Sequence, residues 1–316
     1  MQWPGTQQHL EEDGITVRDA LQWISGNLAQ NNFENPNSNA EQLLCWVLSC
    51  RRVDLHLAPD RRLAHNHILT LKESLRRRLA HTPLQYITGT SQFLDFDLTV
   101  NDGVFIPRPE TEILVEETIK KLRTVSSIDD RDIFIDMCTG CGNVAVALAK
   151  TFPTAHVYAT DISSEALSVA EENCEMYGLS QCISFLCGDL FKPLQGIGIQ
   201  GNVKAVVCNP PYIVTSEIEN LAPEVRDFEP RLALYGGEDG LDVLRRVIVE
   251  APLFLRRNGL LALEVGWGQA PLVRQRMIDA GDFKEIELIE DLSGIERVVL
   301  GRVRGTSTDR HRFKSM

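Results

Sequence analysis

The sequence predicts an α/β protein with a mostly parallel, seven-stranded sheet and helices on both faces, preceded by a small helical bundle. Three observations lead there. From residue 132 onward, short β-branched apolar runs alternate with helix-periodic segments, the signature of a parallel sheet covered on both sides. The turn Asp136-Met137-Cys138-Thr139-Gly140-Cys141-Gly142 joins the first such run to a helix and holds glycines where a ligand can approach the backbone closely. Residues 14–85, by contrast, show only helical periodicity.

In the N-terminal part, Thr16 to Asp19 and Ser38 to Glu41 fit the capping-box pattern ahead of apolar-periodic stretches. The first stretch aligns Val17, Leu21, Ile24 and Leu28; the second groups Leu43, Leu44, Val47 and Leu48, after the polar stretch 31–39. A third helix over 68–80 places Leu71, Leu75 and Leu79 on one face, with Arg76, Arg77 and Arg78 on the solvated ones. Alternation of Phe93, Phe96, Leu98 and Val100 predicts a short hairpin. Pro107 and Pro109 then keep the chain extended until Pro109 or Thr111 opens a helix. Candidate sheet strands are 133–137, 156–160, 183–187, 203–208 and 260–265, with 285–289 and 297–303 as a C-terminal pair. Helices are expected near 143–150, 163–177, 241–256 and 268–280. The domain boundaries that result are 1–85 for the bundle, 86–105 for the hairpin linker, 106–304 for the sheet domain and 305–316 for a loose tail.

Composition narrows the class. The chain has 316 residues, 43% hydrophobic, with a net charge of −12, so stable binding of long nucleic acid through its phosphates is not expected. No apolar run reaches the ~18 residues of a membrane helix. Residues 1–13 include Glu11, Glu12 and Asp13 and lack a basic-then-apolar leader, which predicts a cytoplasmic protein. Its eight cysteines are then expected as reduced thiols, and their spacings do not match a zinc site, so no metal is predicted. Cys138 and Cys141 form a Cys-x-x-Cys at a strand-to-helix turn and read first as two small residues lining a loop; the alternative is a redox-sensitive pair, since such a setting lowers thiol pKa.

The candidate site lies where strands end. Asp161 follows the second strand about 20 residues after the glycines, the spacing at which a carboxylate reaches ribose hydroxyls. Asp189 and Leu190 follow the third strand, where Asp189 would accept from an adenine amine and Leu190 would cover the ring. The loop lacks a third glycine, since Ala145 stands in its place, and S-adenosylmethionine, which has no pyrophosphate, fits better than NAD. Asp136 is placed to help hold its amino-acid moiety and sulfonium. After the fourth strand comes Asn209-Pro210-Pro211-Tyr212. Neither proline has an N–H to extend a ladder, so an amide, fixed carbonyls and an aromatic face are left toward the crevice. If Asn209 and the Pro210 carbonyl each accept one N–H of a planar –NH₂ group, a poorly nucleophilic nitrogen is aimed in line at a methyl donor. Tyr212 would stack on that group.

On these residues the chain resembles the HemK/PrmC family of protein-(glutamine-N5) methyltransferases, which act on peptide chain release factors. The resemblance rests on Pro83-Leu84-Gln85-Tyr86-Ile87-Thr88-Gly89, Phe105-Ile106-Pro107-Arg108-Pro109-Glu110-Thr111-Glu112 and Asn209-Pro210-Pro211-Tyr212-Ile213. Phe228-Glu229-Pro230, Gly236-Gly237-Glu238-Asp239-Gly240-Leu241 and Glu264-Val265-Gly266-Trp267-Gly268-Gln269 extend it. It implies a Rossmann-like class I methyltransferase fold and a helical domain that helps to dock a release factor. The implied reaction is S-adenosylmethionine-dependent methylation of the glutamine in that factor's Gly-Gly-Gln loop. By position it implies Cys138, Thr139, Gly140, Cys141 and Gly142 as the cofactor loop, Asp161 for ribose and Leu190 for adenine. Asn209, Pro210, Pro211 and Tyr212 form the glutamine clamp, with Phe105 and Arg108 on the substrate side. The family loop has glycine where Cys138 stands, a position that favours φ > 0. Two other readings are a methyltransferase for a nucleobase or small amide and a non-catalytic cofactor-binding module.

Overall fold

The computed structural model describes residues 14–124 and 132–304. Contacts within it divide the chain into two compact units, one running to Gly89 and including Pro223–Phe228, the other made of Thr90–Ala222 and the residues from Glu229 on. Residues 1–13, read above as lacking a leader, and the expected tail over 305–316 fall outside the described residues.

The first unit is helical. Helix α1, Val17–Gln30, starts at Thr16, whose hydroxyl accepts the Asp19 N–H while the Asp19 carboxylate accepts the Thr16 N–H, a complete capping box. Helix α2, Pro36–Leu48, corrects the second capping box: it begins two residues ahead of Ser38, because Pro36 sits in the first turn, where a missing N–H is harmless. Glu41 is therefore mid-helix, buried, and paired with Arg52 and His56. Those partners come from α3, Arg52–Leu57, a short helix the periodicity did not predict. Helix α4, His65–Leu79, and α5, Leu84–Thr88, complete the bundle, and Gly89 closes α5 at φ +75°. Trp23, Ile24, Leu28, Leu43, Leu44, Ile68, Leu71 and Leu75 form its core.

The arginine triplet is not a uniformly solvated face. Arg78 is buried; it donates to Asn39 Oδ1 at 2.8 Å and to the Thr82 carbonyl at 3.1 Å, pairs with Glu224 at 2.7 Å, and covers the Phe33 ring at 4.7 Å. Its planar fork suits such a multiply bonded site where an ammonium would not.

In the second unit, β1, Thr90–Phe93, and β2, Phe96–Thr99, form the predicted antiparallel hairpin. Helix α6, Pro109–Arg123, has Pro109 in its first turn and Arg108 as N-cap. Then follow β3, Ile133–Met137, α7, Asn143–Thr151, β4, His156–Asp161, α8, Ser164–Met176, β5, Ile183–Cys187, and β6, Val203–Cys208. The single-turn helix α9, Pro223–Arg226, belongs to the first unit; in the second, the single turn α10, Arg231–Leu234, precedes α11, Asp242–Phe254. The unit ends with β7, Leu255–Glu264, α12, Ala270–Ala280, β8, Phe283–Glu290, and β9, Glu296–Val303. Among the described residues the main sheet has the order β5-β4-β3-β6-β7-β9-β8, and only the β9 pairings are antiparallel. Strand β6 is buried along its whole length; its residues are apolar except Lys204, which is buried as an ion pair with Asp132 at 2.7 Å. The strand order reverses between β3 and β6, and in such sheets the ligand crevice opens beyond the carboxyl ends at that reversal.

Candidate active site

Residues Met137 and Cys208 are paired across β3 and β6, so Cys138 and Asn209 are the next residue of each strand. The cofactor-type loop and the Asn-Pro-Pro-Tyr segment thus leave the sheet side by side. The loop turns sharply at Cys138, φ +60°, Gly140, φ +55°, and Gly142, φ +83°. Cys138 therefore adopts the left-handed conformation although it is not glycine.

Asp136 organises this loop from beneath. Its Oδ2 accepts the Thr139 hydroxyl and, at 2.9 Å, the Ala145 N–H. Burial pushes its carboxyl up to about 7, against the pull of those two donors. With 1% exposure and these partners, Asp136 shapes the turn; the direct hold on a ligand's amino-acid end expected from sequence does not fit so buried a group. Asp161 takes the Gly140 N–H at 2.9 Å on one oxygen and the Ser163 N–H at 3.0 Å on the other, and burial raises its pKa. It stays part-exposed at the end of β4, tied to the glycine turn beside it.

In the structure Asp189 and Leu190 have partners of their own. Asp189 forms a two-point ion pair with Arg246, 2.9 Å at each oxygen, and binds Lys192 at 2.7 Å. Hydrogen bonds from Arg246 and then Lys192 hold its carboxyl down at about 2. Leu190 is 7% exposed and packs in the sheet core with Phe191 and Leu194. Ile162, immediately after Asp161, is instead 54% exposed. In the sequence it stands as an apolar residue between a strand-end aspartate and two serines.

The acceptor side is built around a hydrogen-bond chain. Asn209 Nδ2 donates to Thr111 Oγ1 at 3.0 Å, and Thr111 Oγ1 donates to Glu264 Oε2 at 2.7 Å. Tyr212 donates its hydroxyl to Glu264 Oε1 at 3.2 Å, and burial raises the pKa of that phenol. No hydrogen bond among the described residues ends on Asn209 Oδ1. Pro210 is buried, whereas Asn209, Pro211 and Tyr212 are partly exposed. Gln269 donates to the Tyr212 carbonyl at 2.9 Å and accepts the Gly266 N–H at 2.8 Å, fixing the segment's backbone. A Cβ on Gly236 would lie 2.7 Å from Tyr212 Cα, and one on Gly240 would strike the Tyr212 carbonyl; the glycines of this stretch are needed for that close approach. Thr111, Glu264 and Gln269 were not among the predicted site residues, because only the fold brings them to Asn209 and Tyr212.

Phe105 and Arg108 lie together, the guanidinium 4.8 Å from the ring centre. Arg108 also pairs with Glu229, whose side chain is 1% exposed. The redox alternative for Cys138 and Cys141 does not find a lowered thiol at Cys141, which is buried and pushed up to about 12 by desolvation. Cys138 shares a hydrogen bond with Cys208 of the neighbouring strand. Among the described residues no group of three His, Cys, Asp or Glu is arranged to hold a metal.

A seven-stranded sheet with a β9 reversal, a glycine turn closed on a strand-end carboxylate, and a clamp-like loop beside it define the class: a Rossmann-like methyltransferase. Residues 19–89 match the PrmC N-terminal domain and 131–262 match the RNA cap guanine-N2 methyltransferase family. A release factor glutamine methyltransferase of Thermodesulfovibrio yellowstonii is 37% identical over 85% of this chain and 94% of its own length. One from Geobacter sulfurreducens is 38% identical over 91% and 97%. A solved protein-(glutamine-N5) methyltransferase (release factor-specific) from Alicyclobacillus acidocaldarius is 29% identical, covering 64% of this chain and 95% of that one at a TM-score of 0.38. The chain belongs to the release factor glutamine methyltransferase family.

Proposed function

We propose that this protein transfers a methyl group from S-adenosylmethionine to the side-chain nitrogen of the glutamine in the Gly-Gly-Gln loop of a peptide chain release factor. One observation carries the reading. Asn209 has its –NH₂ end tied to Thr111 and its Oδ1 without a donor among the described residues, one residue beyond the paired ends of β3 and β6. An oxygen so held suits the N–H of an incoming amide.

The loop fits the cofactor. Gly140 is in the left-handed region, and a Cβ placed on it would meet nothing within 4 Å, so the backbone is open to a ligand. Asp161, pinned by two backbone N–H groups, has lone pairs left for ribose hydroxyls. Ile162 offers an exposed apolar surface for the adenine ring. When bound, S-adenosylmethionine supplies an electrophilic methyl on a sulfonium centre.

Asn209 Oδ1 and the Pro210 carbonyl each accept one N–H of the glutamine amide, turning its nitrogen lone pair toward that methyl. Both oxygens become better partners as positive charge develops on the nitrogen, so the clamp favours the transition state over the ground state. The extra proton leaves to water afterwards, because an alkylated amide nitrogen is strongly acidic. Tyr212 walls the planar group, its ring position set by Glu264 and its backbone by Gln269. In this reading residues 1–85 help to dock the release factor, 86–105 link the two parts, 106–304 do the chemistry, and Phe105 and Arg108 meet the substrate. The proposed setting is the cytoplasm; among the described residues no helix is long and apolar enough to cross a membrane.

Incubation with methyl-labelled S-adenosylmethionine and, separately, purified release factor, short nucleic acids and small amides tests the reading. Label on the release-factor glutamine is the expected result. Label on another acceptor overturns the substrate, and cofactor binding without label overturns the activity.

A further inference from the structure

Glu264 has no exposed surface, and burying a carboxylate is unfavourable unless its oxygens are satisfied. No cation lies within ion-pair distance of it among the described residues. Arg297, which faces it from β9, is paired with Asp291. Its partners are two hydroxyls, Thr111 on one oxygen and Tyr212 on the other. A hydroxyl has a single proton. Thr111 gives its proton to Glu264, so it has only lone pairs to offer Asn209, 3.0 Å away. Asn209 must therefore turn its –NH₂ end to Thr111 and its oxygen away.

We propose that Glu264, acting through Thr111, is a positioning residue that sets the direction of the Asn209 amide and so makes the site choose a glutamine amide over a glutamate carboxylate. Glutamine and glutamate have the same shape, and packing alone separates them poorly. A site that offers only oxygen acceptors rejects a carboxylate, which has no N–H and repels them. If Asn209 turns over, its –NH₂ group faces the acceptor, loses the glutamine N–H and welcomes a carboxylate. The two orientations have opposite preferences, and Thr111 decides between them. Sheet geometry supports the arrangement: the Cys208–Leu263 pairing puts Asn209 and Glu264 one step further along adjacent parallel strands, while Thr111 comes from the first turn of α6.

The inference rests on the proposed glutamine methylation, and its test separates the two. Full-length protein is assayed for methylation of the acceptor protein and for inhibition by the same acceptor with its target glutamine replaced by glutamate. Wild type is expected to label the first and to bind the glutamate form at least about tenfold more weakly. Thr111→Val removes the lone-pair acceptor. It is expected to lower kcat by about 10- to 100-fold and to shift the glutamine-to-glutamate binding ratio by about tenfold toward glutamate. Thr111→Ser, which restores the hydroxyl, is expected to recover both.

A second readout addresses Glu264. Glu110, Arg297, Tyr212 and Cys208 also face it, and none of these is altered in Glu264→Gln. Protonated Glu264 can donate to Thr111 and reverse the chain. The wild-type ratio is therefore expected to move toward glutamate as pH falls from about 8 to about 6, and the ratio in Glu264→Gln to stay flat. If both acceptor forms weaken together in Thr111→Val, with the ratio unchanged, Thr111 is merely structural and the inference is overturned. A pH-independent wild-type ratio removes Glu264 from it. Wild type that binds cofactor but leaves the glutamine unlabelled overturns the function itself, and the inference with it.

Discussion

Cys138 holds φ +60° where the loop leaves β3, and there the Cβ of any L-residue crowds the following carbonyl. That conformation costs about 1–2 kcal/mol relative to the right-handed region, and glycine does not bear it. Cys138→Gly relieves the strain but makes the unfolded chain more flexible, an opposing effect of about 0.4–1 kcal/mol. It also loses the contacts of a half-buried side chain that packs on the sheet core beside Cys208. The expected balance is a small gain of about 0.5 kcal/mol, or about 1–2 °C in melting temperature for a unit of this size. Cys138→Val tests the same strain in the opposite sense: a β-branched residue at positive φ is a severe outlier, and a loss of about 1–3 kcal/mol is expected. The assay is denaturant unfolding of the full chain with calorimetric titration of S-adenosylmethionine, in which the valine variant binds more weakly and the glycine variant does not. If Gly and Val destabilise equally, the cysteine side chain matters through packing, and the backbone argument is wrong.

Three further outcomes follow from the site. Asn209→Ala is expected to lower kcat on the release factor by about 10²–10³-fold while leaving cofactor affinity nearly unchanged, as separate binding and turnover measurements will show. Gly240→Ala is expected to lower kcat without weakening cofactor binding, since its Cβ would displace the Tyr212 carbonyl and with it the clamp. Glu264 titrates at about 7, raised by burial from an ordinary 4.5, so the folded state holds its proton more tightly than the unfolded one. The associated stability is present below about pH 4.5 and is lost as pH rises through about 7, a change of roughly 3 kcal/mol; Glu264→Gln is expected to raise the melting temperature at about pH 8 but not at about pH 5. Asp136 rises to about 7 for the same reason and titrates in parallel, so the difference between wild type and Glu264→Gln, not the raw profile, is the quantity to compare.

Sequence patterns made the sheet legible because its central strands are short runs dominated by apolar residues, as β3 illustrates. Local capping rules worked at Thr16, where the box is complete, and failed at Ser38, where Pro36 opened the helix first. Helix periodicity missed α3, which is six residues long and too short to show a face. In the candidate site, residues at a backbone turn or the end of a strand, such as Gly140, Asp161 and Asn209, could be placed from their position along the chain. Residues that act through contacts could not. Asp189 stood at the right strand end, yet Arg246, 57 positions away, engages it. Thr111 and Glu264 reach Asn209 from 98 and 55 positions away, and no local pattern encodes a hydrogen-bond chain of that span. Arg78 looked like one of three solvated arginines until the fold brought Asn39, Thr82 and Glu224 around it.

The central claim is that the Asn209 clamp delivers a methyl group to a glutamine side-chain nitrogen. Mass spectrometry of the release factor after incubation with S-adenosylmethionine and this protein tests it directly, with the Asn209→Ala variant run beside wild type. The account predicts one added methyl group, located by fragmentation on the glutamine of the Gly-Gly-Gln loop, with wild type only. Methylation at any other residue, or equal methylation by Asn209→Ala, would contradict it.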